Sequence, residues 1–321
     1  MNLDVPPGFA GVVSVSRGDT VEFEQAYGLA DRAHGIAATV DTQFGIASGT
    51  KGLTACAVIA LIADGALQLE STARSLLGSD LPLIPDDVTV EHLLTHRSGI
   101  GDYVDEDLDE EVPLRVPVQE LDCAEAYLPA LDGFPAKFAA GTRFSYCNSG
   151  YVVLAILSER VSGIPFPDLV ASRVLRPADM VDTGFLRSDE LPGRAAVGYL
   201  DDGRTNVFKL PVLGSGDGGA YTTVADVRRF WSALLDGRIV PSVWAQRMTQ
   251  PSSSETGHPF RYGMGFWLEP TGPQVVLDGC DHGVSFRSVH DPSSGLTATV
   301  VNNTTDGAWP IARQLRQLHV G

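Results

Sequence analysis

The hydrophobic positions along the chain follow two rhythms. Residues 8–17 (FAGVVSVSRG) and 20–28 (TVEFEQAYG) alternate with a period of two on either side of an Arg17-Gly18-Asp19 turn, which predicts a strand hairpin. Residues 43–47 (QFGIA) predict a short third strand. From about Ser48 to Ala63 the pattern becomes a helix that is apolar nearly all round and ends at Gly65; such a helix is normally buried inside a domain. Residues 66–210 are richer in helical patterns, proline and loops, with a short helix over Val90–Thr95 and an apolar helix over Tyr151–Ser162 that starts after Gly150. Thr223 is placed to cap a helix over Val224–Leu235. Residues 262–268, 274–278, 284–290 and 296–302 alternate as antiparallel strands, and a helix over Trp309–Leu318 closes the chain.

Strands at both ends with helices between them predict an α+β fold. One antiparallel sheet is built from both chain termini and flanked by helices, and a mainly helical region is inserted in the middle. On this reading residues 1–321 form one domain, with about 1–65 plus 215–321 as the α/β part and about 66–214 as the helical part.

Composition changes the picture by exclusion. The 321 residues carry 23 basic and 40 acidic side chains, a net charge of −17, with 44% hydrophobic positions, an ordinary globular balance. Phosphate backbones and anionic membranes repel such a surface, so neither nucleic acid nor a membrane is an expected partner. The N-terminus has no basic region ahead of an apolar run, and the longest apolar run, Ala55–Ala63, is far short of the ~20 residues that span a bilayer. A cytoplasmic protein is therefore expected, with Cys56, Cys123, Cys147 and Cys280 reduced and in no zinc-binding spacing. The acidic run 102–111 lacks the glycine and final carboxylate of a calcium loop, and reads as a solvated loop. No metal or organic cofactor is implied.

Two constellations carry candidate chemistry. Ser48-Gly49-Thr50-Lys51 is a Ser-x-x-Lys spacing that opens the buried helix. Residues i and i+3 share a helix face, and an apolar setting lowers a lysine's pKa, so that its neutral amine can accept the serine proton. The helix start also offers free N–H groups to an oxyanion. Only three of the basic residues are lysines, Lys51, Lys137 and Lys209. The second constellation is Tyr146-Cys147-Asn148, in which tyrosine can relay a proton and asparagine can hold a substrate amide. No Gly-x-Ser-x-Gly elbow or His-Glu-x-x-His zinc motif is present.

Together these motifs make the chain resemble the serine β-lactamase and penicillin-binding-protein superfamily, in its class C-like, D-Ala-D-Ala peptidase and carboxylesterase branch. Ser48-x-x-Lys51 resembles the first motif and Tyr146-x-Asn148, roughly a hundred residues on, the second. Leu93-Leu94-Thr95-His96-Arg97-Ser98-Gly99 is similar to a Leu-Leu-x-His-x-Ser-Gly signature of the branch, and Gly218-Gly219-Ala220-Tyr221-Thr222-Thr223 to its Gly-Gly turn. Class A is not the template, since no Ser-Asp-Asn triplet occurs. The resemblance implies a third motif, Lys-Thr-Gly or His-x-Gly, on an edge strand of the cleft. The candidate segment, residues 279–286 (GCDHGVSF), has no lysine. Aligned on Gly283, Asp281 takes the lysine position; aligned on the imidazole, His282 does. Both registers stay open. In the family that lysine helps bind a substrate carboxylate, so its loss points away from penicillin and D-Ala-D-Ala.

The resemblance implies a serine hydrolase that cleaves an ester or amide through a Ser48 acyl-enzyme. Lys51 is the expected base, Tyr146 the proton relay, and Asn148, His282, Gly283, Val284 and Ser285 the expected substrate-binding residues. The oxyanion donors are the N–H of Ser48 and one N–H from Gly283–Ser285. His96 is expected as a brace of the helical region, Cys147 as buried filler. Small-molecule esters, amides or β-lactams are the expected substrates, with esterase-like activity favoured. A β-lactamase or D-amino-acid peptidase is one alternative, and a catalytically silent scaffold another.

Overall fold

The computed structural model describes residues 1, 3–106, 113–253 and 255–317. The N-terminal hairpin forms as β1 (Gly11–Arg17) and β2 (Thr20–Tyr27). The C-terminal third supplies β3 (Arg261–Tyr262), β4 (Trp267–Leu268), β5 (Val275–Asp281), β6 (Val284–Asp291) and β7 (Leu296–Asn302). These strands make one antiparallel sheet in the order β2-β1-β7-β6-β5-β4-β3. Its centre joins the two ends of the chain: Gly11 pairs with Asn302 and Arg17 with Leu296. The α+β fold, a terminus-built antiparallel sheet flanked by helices, is the one the alternation predicts.

Residues 262–268 differ from expectation. They form not one strand but a tight hairpin, in which Tyr262 faces Trp267 and the Gly263 N–H donates to the Phe266 carbonyl at 2.9 Å. The reversal uses Gly265 at φ +86°, a left-handed conformation that the alternation of side chains does not reveal.

The helices pack on both faces of the sheet. On one face α4 (Trp309–Arg316) buries Ile311, Ala312 and Leu315 against Val13, Val15, Ala298 and Val300. The C-terminal end predicted at Leu318 lies outside the described residues. On the other face lie α1 (Thr50–Ala63), α2 (Asn148–Ser162) and α3 (Val224–Leu235). The predicted cap forms on α3, where Thr223 Oγ1 accepts the Asp226 N–H at 3.2 Å. Trp231 of α3 ties the layers together by donating its indole N–H to Ser288 Oγ at 2.9 Å.

The all-round apolar character of α1 has its counterpart in burial: every residue from Thr50 to Leu61 is buried. Its polar members are answered internally, with Thr54 donating to the Gly216 carbonyl at 2.7 Å. The sheet presses closely on this helix. A Cβ on Gly52 would stand 2.5 Å from Leu277 Cδ2 of β5.

α2 begins at Asn148, three residues before the predicted start. The reason is a cap from a distant segment: the Asp102 carboxylate accepts the N–H of Asn148 and of Ser149, each at 2.8 Å. Asp102 is therefore buried and structural, which corrects the reading of residue 102 as part of a solvated loop. Residues 107–112 of that run lie outside the described residues. Among the described residues no helix is long and apolar enough to cross a membrane.

Candidate active site

Ser48 sits in a single 3₁₀ turn, Ala47–Gly49, which runs directly into α1. The residue before it, Ala47, holds φ at +44°, a left-handed conformation that costs a residue with a side chain free energy. Thr50 holds the turn in place: its hydroxyl donates to the Ala47 carbonyl at 2.7 Å and accepts the Ala220 N–H at 3.1 Å. The strained turn lifts Ser48 into a cleft of about 1170 Å3, which the aromatic rings of Tyr103, Tyr146 and Trp267 help to line.

Lys51 is 2% exposed, and its ammonium faces three oxygens. Nζ lies 2.9 Å from Ser48 Oγ, 2.8 Å from Asn148 Oδ1 and 2.7 Å from the Asp217 carbonyl. Burial lowers its pKa below the usual lysine range, against the opposing pull of Asp217, Glu106, Asp102 and Asp281. The three partners are unequal. An amide oxygen and a backbone carbonyl can only accept, whereas a hydroxyl can donate or accept. Once Lys51 is neutral, its two protons are therefore committed to Asn148 and Asp217, and its lone pair is left pointing at Ser48 Oγ.

Tyr146 shares a hydrogen bond with Ser48, and its ring lies 4.8 Å from Lys51 Nζ. Burial, and then the Glu106 carboxylate, push its phenol well above the ordinary value, so it stays protonated through the neutral range. The ring is stacked on Trp267, with centroids 5.7 Å apart and planes at 10°. His96 braces the same segment from behind. Its backbone carbonyl accepts the Ser145 N–H at 2.9 Å, its Nδ1 accepts the Cys147 N–H at 3.1 Å, and its ring lies 4.4 Å from that of Tyr146. Burial, helped by the charge of Lys51, holds His96 well below the usual histidine value, so it stays neutral. Cys147 is buried with its thiol pushed up by burial, which disfavours a thiolate. Asn148 completes the group: Oδ1 faces Lys51, and Nδ2 donates to the Val104 carbonyl at 2.9 Å and to Glu106 at 3.3 Å.

The segment expected as the third motif is placed differently. His282 and Gly283 form the two-residue turn between β5 and β6, with Gly283 at φ +72°. His282 and Val284 line the cleft. Ser285 faces elsewhere: its hydroxyl donates to the Thr304 carbonyl at 2.7 Å and accepts the Ala308 N–H at 3.0 Å. Gly283 likewise packs away from Ser48, since a Cβ there would stand 2.7 Å from Tyr199 N. The glycine that meets the nucleophile turn is Gly279. A Cβ at that position would stand 2.1 Å from the Ile46 carbonyl, 2.9 Å from Gly49 N and 3.0 Å from Ser48 N. This corrects both sequence registers. With Gly279 as the glycine of a Lys-x-Gly pattern, the lysine position is Leu277, which is buried against α1. Motif matching missed it because Leu277-Asp278-Gly279 keeps only the glycine.

The backbone of β5 next to Gly279 has a further property. Asp281 pairs with Val284 across a two-residue turn, and Gly279 pairs with Phe286. In an antiparallel ladder, hydrogen-bonded pairs alternate with pairs whose N–H and C=O groups point outward. Cys280 is the residue between them, so its N–H points to the open edge of β5 and into the cleft. Glu106 and His258 also line the cleft, and no motif singled them out.

Comparisons with known proteins show the family of the chain. The sequence profile described as Beta-lactamase matches residues 7–320. Esterase EstB from Burkholderia gladioli is 34% identical over 70% of this chain and 64% of its own length. A D-aminopeptidase from Brucella ovis is 30% identical over 87% of this chain and 52% of its own. The chain thus spans only about half to two-thirds of the length of these curated relatives. Among solved structures, a penicillin-binding protein from Bacillus halodurans is 34% identical and superposes with a TM-score of 0.88, covering 97% of this chain and 96% of that one. With a matching profile across almost its whole length and the same fold throughout, the chain belongs to the Beta-lactamase family.

Proposed function

We propose that the protein is a serine hydrolase that cleaves uncharged esters, and more slowly amides, through an acyl-enzyme on Ser48. The observation that carries this reading is the sorting of partners around Lys51. Two obligate acceptors take its protons and leave the lone pair to Ser48. Neutral Lys51 takes the proton of Ser48 as Oγ bonds to the substrate carbonyl carbon. The N–H groups of Ser48 and Cys280 hold the resulting oxyanion. As the carbon–oxygen bond to the leaving group breaks, the proton passes from Lys51 through the Tyr146 hydroxyl to the departing oxygen. Water then attacks the acyl group and gives its proton to Lys51 by the same route; as the acyl–Oγ bond breaks, Lys51 returns that proton to Ser48 Oγ, which restores the hydroxyl and the neutral amine. Tyr146 acts as a relay rather than a phenolate base, because burial and Glu106 disfavour its ionised form. Asn148 positions Lys51 and the substrate.

Esters are favoured over β-lactams because Leu277 stands where a carboxylate-binding lysine would be. The relatives named an esterase and a D-aminopeptidase support hydrolysis of an acyl bond. The test is a fluorophosphonate probe together with nitrophenyl butyrate and a cephalosporin. Labelling of Ser48 and faster turnover of the butyrate ester are expected. Labelling at another serine, or faster opening of the cephalosporin, would overturn the reading.

A further inference from the structure

Among the described residues, six carboxylates line the cleft against three cations, Arg143, Lys209 and Arg287. Arg287 stands on β6 directly opposite Asp278 of β5, the residue that precedes Gly279. The two side chains engage through both prongs: Nε to Oδ1 at 3.2 Å and Nη2 to Oδ2 at 2.5 Å. The guanidinium is also held between aromatic rings, 5.6 Å from the centroid of Phe260 and 5.3 Å from that of Trp309. Both members of the pair line the cleft and both are largely covered. Neighbouring side chains on a strand point to opposite faces. Asp278 therefore turns from the face on which Gly279 meets the nucleophile turn towards the face that carries Trp309, and the pair reaches the cleft at the open edge of β5.

We propose that Asp278 is a specificity-determining residue: by occupying both prongs of Arg287 it withholds that cation from substrate carboxylates and restricts the cleft to uncharged acyl groups. Asp278 matches the Nε–Nη2 edge of the guanidinium and cancels its charge, so a second carboxylate meets a neutral pair and only the remaining Nη1 side. With leucine at position 277, the adjoining stretch of β5 offers no replacement cation. Specificity here is set by an element that disfavours the wrong substrate rather than by one that favours the right one. The inference rests on the hydrolase reading above.

Its test compares nitrophenyl butyrate with the mono-nitrophenyl ester of glutaric acid, which adds one carboxylate to a similar chain. Asp278→Asn keeps the shape and removes the charge. It is expected to raise the ratio of kcat/KM for the glutarate ester over the butyrate ester by about tenfold or more, the scale of one charge-assisted hydrogen bond. Adding Arg287→Gln to that variant is expected to return the ratio to the wild-type value. An unchanged ratio in Asp278→Asn, or a gain that survives loss of Arg287, overturns the proposal. Turnover of the butyrate ester by the wild type tests the hydrolase reading separately. Binding of phenylboronic acid against carboxyphenylboronic acid, measured by calorimetry, gives the same ratio without turnover. If Asp278→Asn does not fold, Arg287→Gln alone is the test. An unpaired Asp278 should then lower glutarate ester turnover and raise that of the 4-aminobutyrate ester, and no change in either overturns the proposal.

Discussion

On the helical side of the cleft Lys51 faces three oxygens within 2.9 Å, Tyr146 is stacked on Trp267, and Asp102 and His96 hold the Tyr146–Asn148 turn from behind. On the sheet side, β5 runs along the cleft as an edge that pairs with β4 only at Val275 and Val276. It presents backbone groups, a charge pair and the exposed residues Cys280 and Asp281. The helical wall allows its reactive groups one arrangement, because Lys51 Nζ and the Asn148 amide are buried and each is held by several hydrogen bonds. The strand wall touches Ser48 through a glycine and leaves its side chains to face the substrate. General acid–base chemistry needs the first kind of wall, and substrate choice can be altered on the second without disturbing it.

Removing the nucleophile should give the largest effect on this contrast. Ser48→Ala is expected to lower kcat by on the order of 10⁶-fold and to abolish fluorophosphonate labelling, with thermal unfolding unchanged. Next come the proton carriers. Lys51→Arg keeps a charge that cannot be lost, and Tyr146→Phe removes the relay; each should lower kcat/KM by about 10²–10⁴-fold while the fold survives. In the wild type activity should rise with pH along an acid limb set by Lys51, since its neutral form is the active one and burial moves its titration down from the usual lysine range. Glu106→Gln removes a charge that favours the ammonium form, so it should move that limb to lower pH. A limb that disappears only in His282→Ala would assign the base to His282 instead.

Two glycines separate the walls more finely. Gly279→Ala forces a Cβ to within 2.1 Å of the Ile46 carbonyl, so β5 must shift away from Ser48. A loss in kcat on the order of 10²-fold is expected, as for a misplaced oxyanion donor. Gly283→Ala strains a turn at φ +72° and should lower the unfolding temperature with a much smaller change in kcat. Equal catalytic losses in the two variants would remove the distinction between the residues.

The smallest effect concerns stability on the helical wall. His96 is 1% exposed and stays neutral in the fold, whereas the unfolded chain takes up its proton below about pH 6.5. It therefore contributes stability that is lost as pH falls below that value, by at most about 1.4 kcal/mol per pH unit. Asp102 tilts the opposite way. Burial pushes its carboxyl up to about 6, so the fold takes up that proton before the unfolded chain does and gains stability as pH falls from there. Asparagine tolerates the left-handed conformation of position 96, φ +54°. The difference in unfolding free energy between wild type and His96→Asn should thus shrink as pH falls from 6.5 to 4.5. A constant difference would mean that His96 is protonated inside the fold.

Much of this molecule follows from local pattern. The period-two alternation predicts β1, β2, β5, β6 and β7 to within a few residues, and the shift to an all-round apolar run predicts α1. These features are local because strands and helices repeat over a few residues and each repeat shows its buried face. Ser48-x-x-Lys51 is local for the same reason, since one helical turn brings the two side chains together. The start of α2 was not legible, because its cap is Asp102, 46 residues earlier in the chain. Nor was the hairpin within 262–268, where the alternation continues through the turn.

Composition and spacing by themselves determined the fold class, the order of elements and the pair of reactive side chains that one helical turn must place together. Tertiary structure alone decided which glycine meets Ser48, which residue takes the lysine position of the third motif, and which carboxylate holds Arg287. The first two choices are made by approach distances between segments more than two hundred residues apart, and the third by the register of the β5–β6 hairpin. A glycine earns its place there by what the opposing backbone leaves no room for, and nothing in its own neighbourhood of the sequence records that.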